Sequence, residues 1–194
     1  MEIETVLAAL GASALVHWHS NNLEVGPKPK SWVLSTTDGQ LEERHDWIQW
    51  AFPLAQPSRA VPGSPVLGPR DLAWFAAEGR LRDSLRDLCG RFTDFLGPWE
   101  AGADADPAWA RGADHNQLRI TRAIRSLACL GLEEEAAALR DRVLSMTAGR
   151  GAAPVKAARR HWKTAVADGR ADRLLLLAAL AADPAWAHDG ARHV

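Results

Sequence analysis

Residues 45–54 read HDWIQWAFPL and residues 114–125 read DHNQLRITRAIR. In both, apolar residues return every three or four positions, the spacing of an amphipathic helix, and neither alternates as a strand does. Each also carries polar groups that a plain core helix does not need. On a helical wheel over 41–52, Leu41, Ile48, Phe52 and His45 share one stripe and Gln49 borders it. Asp46 follows, Trp50 lies opposite, and Trp47 and Ala51 complete the far flank. A helix apolar nearly all round is buried on several sides. In the second stretch Ile120, Ala123, Ile124 and Leu127 form one stripe, bordered by Arg119 and Ser126. Arg122, Arg125 and Thr121 lie on the other side with Leu118 and Cys129.

A buried imidazole, amide or carboxylate without a partner costs about 1–3 kcal/mol. The two stretches are therefore expected to meet. His45, Asp46, Gln49 and Trp50 would face His115, Asn116, Arg119 and Arg122. The planar guanidinium fork suits a carboxylate or a phosphate. Its partner would be Asp46, another acidic side chain, or a ligand. The same groups can form a satisfied polar network that locks two helices, or the wall of a pocket.

Working outward, helical spacing recurs along the whole chain and no internal repeat interrupts it. Residues 3–16 form a first apolar helix. Residues 20–40 are a connector with Gly26, Pro27 and Pro29. Pro53 stops the helix over 41–52, since proline disrupts a helix interior. Four prolines make 55–69 a loop. Residues 70–96 are helical, split at Gly79 and ended by Gly97-Pro98, and 98–113 are a second long loop. Asp114 or Asn116 caps a helix that runs to about Leu130, where Gly131 breaks it. Glu133 opens the next, its three consecutive glutamates suiting the positive end of a helix dipole. Helices over 154–167 and 171–182 close the set, and 186–194 fray. The expectation is an all-α, single-domain bundle of seven or eight helices with two long loops, spanning 1–185.

Composition narrows the function classes. The chain has 194 residues, 47% hydrophobic and 24% charged, enough to bury a core without staples. A net charge of −1 gives no global attraction to nucleic acid or to an anionic membrane. Charge is uneven, however: 1–54 carries three Lys/Arg against seven Asp/Glu, and 115–170 carries eleven against five. Complementary packing within one fold accounts for this, and so does a basic face for an anionic ligand. Nucleic-acid binding is not expected, because the basic stretch holds no reading motif.

Cys89 and Cys129 are too far apart in sequence for a CxxC site, and both sit among apolar neighbours, as buried thiols of a reducing compartment do. The N-terminus lacks the basic start of a signal peptide. The longest apolar run, LLLLAALAA at 174–182, is too short to span a bilayer. A cytoplasmic protein without cofactor is expected, and 19 Arg against four Lys suggests a GC-rich bacterial genome. His17-x-His19 could supply two metal ligands, but no third ligand has a matching spacing, so no metal is expected. Arg159-Arg160-His161 reads as a solvated face. No phosphate-binding Gly loop, GxSxG or HExxH occurs.

The stretch HDWIQWAFPL resembles HDYIQWLFPL, a hallmark of the opioid growth factor receptor conserved domain, with Trp47 where Tyr is usual. DHNQLRITRAIRSLACLGLE resembles that family's second hallmark, HNYLRITRILKSLGLLGLE. RDLAWFAAEGRLRDSLRDLCGRFTDFLG looks like its intervening helix pair, and APVKAARRHWKTAV is similar to the closing segment of bacterial members. The likeness covers about 40–165 and extends over a core of 12–167. It implies an all-α bundle. It also implies, from vertebrate members, binding of a short opioid peptide, methionine enkephalin. By position His45, Asp46, Gln49, Trp50, His115, Asn116, Arg119 and Arg122 match the motifs, and the family supplies no catalytic role for them.

The reading that follows first is a non-enzymatic binding domain for a small anionic molecule or a short peptide. Arg119 and Arg122 would hold the anion, while His45, Gln49, His115 and Asn116 would give directional bonds. Trp47 and Trp50 would form an aromatic wall. An enzyme using His45 or His115 as general acid/base is one alternative. An interaction module anchored by exposed Trp99, Trp109 and Trp186 is another.

Overall fold

The structure is a computed structural model, and it describes residues 11–20, 26–99, 106–149 and 151–183. Within them the chain is all-helical, with no strand. The helices are α1 (Ala14–His19), α2 (Lys30–Ser35), α3 (Asp38–Glu43), α4 (Ile48–Ala51) and α5 (Pro69–Ala77). They continue with α6 (Gly79–Leu96), α7 (Ala108–Arg111), α8 (Asn116–Cys129), α9 (Glu133–Met146) and α10 (Ala153–Ala181). The all-α expectation holds. The ten helices among the described residues exceed the expected seven or eight because both connectors hold short helices, α2 and α7, and because 41–52 is not continuous.

That break has a local cause. A Thr37–Gln40 capping box starts α3 earlier than expected, and the chain leaves helical geometry at Arg44. The indole Nε1 of Trp47 then donates to the Leu41 carbonyl at 3.0 Å, taking the acceptor that a continuing helix would have used. The wheel over 41–52 therefore fails between 44 and 47. His45, expected inside the apolar stripe, is exposed.

The centre of the fold is α8. Ile120, Ala123, Ile124 and Leu127 are fully buried, as the periodicity requires. The helix ends in a Schellman arrangement: Leu132 N–H reaches the Leu127 carbonyl at 2.8 Å and Gly131 N–H the Ala128 carbonyl at 3.3 Å. Gly131 has φ +85°, a conformation that glycine adopts without strain. The following helix α9 starts at Glu133 as expected, and Arg170 pairs with that glutamate.

The two closing helices expected from the sequence are one, α10, 29 residues long. Gly169 is not its break but its contact with α8. A Cβ placed there would lie 2.3 Å from the Arg125 carbonyl oxygen and 2.8 Å from Ala128 Cβ. Only a residue without a side chain allows the two backbones to approach so closely. The crossing seats Asp172, 3% exposed, beneath Arg125.

The aromatic residues fill the interior. Trp18, Trp47, Trp162, Phe52, Phe75 and Phe92 are among the largest fully buried side chains. Trp109, expected as an exposed anchor, is 2% exposed, donates to the Leu96 carbonyl, and packs on Trp162. Trp99 is half-buried, donates to the Thr93 carbonyl and carries the Arg142 guanidinium over its ring. Trp109 is thus part of the core, Trp99 keeps part of its ring exposed, and Trp186 lies outside the described residues, as does most of the expected first helix. Among the described residues no helix is long and apolar enough to cross a membrane.

Candidate functional site

The two stretches that opened the sequence reading do meet, through Glu42 rather than Asp46. Glu42, at the end of α3, bonds to three residues of the 115–119 turn. Its Oε1 lies 3.2 Å from His115 Nε2, and its Oε2 accepts from Asn116 Nδ2 at 3.0 Å and from Arg119 at 3.4 Å. Arg119 also donates to Asn116 Oδ1 at 2.9 Å and, because the chain has left helical form there, to the Arg44 carbonyl at 2.7 Å. It donates further to His45 Nδ1 at 3.1 Å. Since a guanidinium only donates, His45 accepts at Nδ1 and carries its proton on Nε2 when neutral. The same logic at Glu42 puts a proton on His115 Nε2. Burial lowers the Arg119 pKa, Glu42 and Asp114 acting in opposition, and the guanidinium rests near the rings of Trp47 and Phe95.

Beside this network a cavity of about 350 Å³ opens between α4, the 54–60 loop and α8. That size lies within the range of small-molecule sites. Five of the eight expected site residues line it: His45, Gln49, His115, Arg119 and Arg122. Asn116 is buried behind them, bonded to Glu42 and Arg119. Asp46 and Trp50 do not line it. Among the described residues Asp46 pairs with no arginine, and its buried Oδ1 has no partner. Trp50 packs over Gly26 and beside Trp18, and its carbonyl bonds His19. Trp47 is core, so the expected aromatic wall is absent from the cavity. Its apolar wall is aliphatic instead, with Ile48, Leu54 and Leu118.

Four arginines line the cavity, Arg59, Arg119, Arg122 and Arg125, and none of its lining residues is acidic. They are not equivalent. Arg119 is held by the Glu42 network. Arg125 binds Asp172 through two nitrogens, at 2.6 and 2.8 Å, and this carboxylate raises its pKa. Arg122 makes one hydrogen bond among the described residues, to the Phe52 carbonyl at 3.1 Å. Burial first, and then the charge of Arg125, push its pKa down to about 10. Arg59, on the loop, makes no ion pair or hydrogen bond among the described residues and is exposed.

Gln49 is 4% exposed; its Nε2 reaches Ser58 Oγ at a long 3.4 Å, and its Oε1 has no partner among the described residues. The sequence reading missed Glu42, Arg59, Arg125 and Ser58. Arg125 was placed on the Arg122 face but not counted as a site residue, although i, i+3 spacing sets the two side by side. Glu42 was hidden by the assumption of a continuous helix. No local signal marks Arg59 or Ser58, which reach the site through the loop's path.

His19 belongs elsewhere. A carbonyl only accepts, so Nε2 donates to Trp50 at 3.0 Å and Nδ1 accepts from the Ser84 hydroxyl at 3.1 Å. Both ring nitrogens are thereby used by the fold. Burial lowers its pKa to about 3. Both thiols are pushed up to about 11 by burial, Cys129 fully buried and Cys89 partly.

No family model, no curated protein and no solved structure matches this chain.

Proposed function

We propose that this protein is a non-enzymatic binding domain that takes a small anionic ligand between α4, the 54–60 loop and α8. The observation that carries the reading is Arg122. It is a largely desolvated guanidinium, bonded to one backbone carbonyl, beside a second arginine, in a cavity with no acidic lining residue. Two half-buried like charges side by side disfavour one another, and an anion between them relieves the repulsion. Arg125 has Asp172 for this purpose, and Arg122 has no such carboxylate among the described residues. Gln49 offers an unused polar atom at the same wall.

The resemblance to the opioid growth factor receptor conserved domain belongs to this reading. Its two hallmark stretches supply His45, Gln49, His115, Arg119 and Arg122 to one cavity. A reducing, cytoplasmic setting is part of the same proposal. The division of labour differs from the sequence expectation. Arg119 holds the wall together, and Arg122 is the residue that meets the ligand.

The test is native mass spectrometry of protein purified from its own host, beside its denatured mass. A small added mass that is lost on denaturation and absent from Arg122→Met supports the reading. A clean apo mass, with no anion from the host's small molecules raising thermal stability, would overturn it. One observation favours a second reading, an acid/base site: His115, paired with Glu42, lines the cavity. A His115→Gln variant that keeps ligand binding but loses turnover of that ligand would establish it.

A further inference from the structure

Resting on the anion-binding reading just given, we infer that the ligand is a phosphate monoester on a mainly apolar body, bound as the dianion. The argument is one of charge and donors. Of the four guanidiniums at the cavity, two are already matched: Arg119 by Glu42 and Arg125 by Asp172. Two remain without a carboxylate partner among the described residues, Arg122 on α8 and Arg59 on the facing loop. A carboxylate would neutralise one of them. A phosphate monoester, whose second ionisation lies near pH 6, carries close to two negative charges at neutral pH and three acceptor oxygens.

The donors suit those oxygens. Arg122 uses one of its five N–H groups on Phe52, and the others are available. Ser58 Oγ accepts from Gln49 Nε2 and from Val61 N–H, while its own proton has no acceptor among the described residues. Serine and two arginine forks surrounding one group is a phosphate environment rather than a carboxylate one. The rest of the wall joins His45, His115 and Thr121 to a group of apolar side chains. Ile48, Leu54, Ala60 and Leu118 form that group, and Leu118 stands 73% exposed on a helix whose other leucine is buried. These side chains would cover an aliphatic or aromatic body. The partnerless end of the Gln49 amide would meet one polar group on it.

Isothermal titration with three probes tests this: phenyl phosphate, its methyl diester and benzoate. The last two carry one charge. At pH 7.5 phenyl phosphate should bind at least about tenfold tighter than either, the worth of one charge-assisted hydrogen bond. Lowering the pH to 5 should narrow that preference, the diester, which has no second ionisation, serving as the control for charge changes on the cavity's own groups, His45 and His115 among them. Arg59→Ala, on an exposed loop, should remove the preference and leave all three at the diester's affinity. Equal binding of the three probes would overturn the inference while leaving an anion site in place, and so would a preference that survives Arg59→Ala. Inorganic phosphate binding as tightly as phenyl phosphate would overturn the apolar body. Failure of every probe, unchanged in Arg122→Met, would remove the anion-binding reading itself.

Discussion

Replacing Gly169 by alanine should weaken the fold, although alanine is the better helix former by about 1 kcal/mol. The residue sits inside α10 where that helix crosses α8, and the added Cβ would lie 2.3 Å from the Arg125 carbonyl oxygen. An ordinary carbon–oxygen contact is about 3.3 Å or more. The helices would therefore have to separate by roughly 1 Å, the difference between the two distances. The obstructing atom is backbone, so no side-chain rotation relieves it. Overpacking of this kind costs about 1–3 kcal/mol. At the upper end, less the helix gain, the net loss is about 2 kcal/mol, or a drop of about 4–8 °C in Tm for a chain of this size. Gly90, in the middle of α6 with nothing within 4 Å of its would-be Cβ, is the internal control. Gly90→Ala should stabilise by up to about 1 kcal/mol. Urea denaturation of both variants measures the signs. If Gly169→Ala were neutral or stabilising, Gly169 would be an ordinary helix glycine and the close α8–α10 crossing would be wrong. The support of Arg125 by Asp172 would go with it.

Three further outcomes follow from the same geometry. Arg119→Met should lower stability by about 1–2 kcal/mol, since it removes the donor to buried Asn116 Oδ1 and to the Arg44 carbonyl and one of Glu42's three partners; a Tm change within error would deny that network. His19, buried and held neutral with a pKa of about 3, makes stability depend on acid: the unfolded chain takes up a proton below pH 6.5 and the folded one does not. Stability should thus be full above pH 6.5 and fall by up to about 1.4 kcal/mol per unit as pH drops toward 3, and this component should vanish in His19→Gln. Cys89 and Cys129, with thiols pushed up to about 11, should react slowly with a disulfide reagent at pH 8 in the folded protein and fast in urea; rapid labelling of native protein would contradict their burial.

The fold was largely legible because its main helices obey one period and end at strong signals. Gly131, the triple glutamate at 133–135 and Gly97-Pro98 all stand where the sequence placed a boundary. The misreadings share a cause, in that a tertiary contact overrode a local rule. Gly169 looks like a breaker and is a point of close approach. The 41–52 run looks like a helix and is cut where Trp47 and Arg119 take up carbonyls that a helix would have used. Within the site, His45, Gln49, His115, Arg119 and Arg122 were readable as polar groups on otherwise apolar helices. Their roles were not, because matching a guanidinium to its carboxylate depends on residues far apart in the chain: Glu42 for Arg119 and Asp172 for Arg125. The tryptophans mislead in the opposite direction. Indole N–H groups in loops find backbone carbonyls and turn the rings inward, as Trp99 and Trp109 do.

The central claim is that Arg122 faces an anion site rather than a carboxylate of its own chain. Crystals soaked in bromide, with anomalous differences recorded at the bromine edge, test it most directly. The account predicts a leading bromide peak within hydrogen-bonding reach of the Arg122 guanidinium, on the Arg59 side. Bromide elsewhere and none at Arg122, or an Arg122 side chain turned onto an aspartate or glutamate, would contradict it.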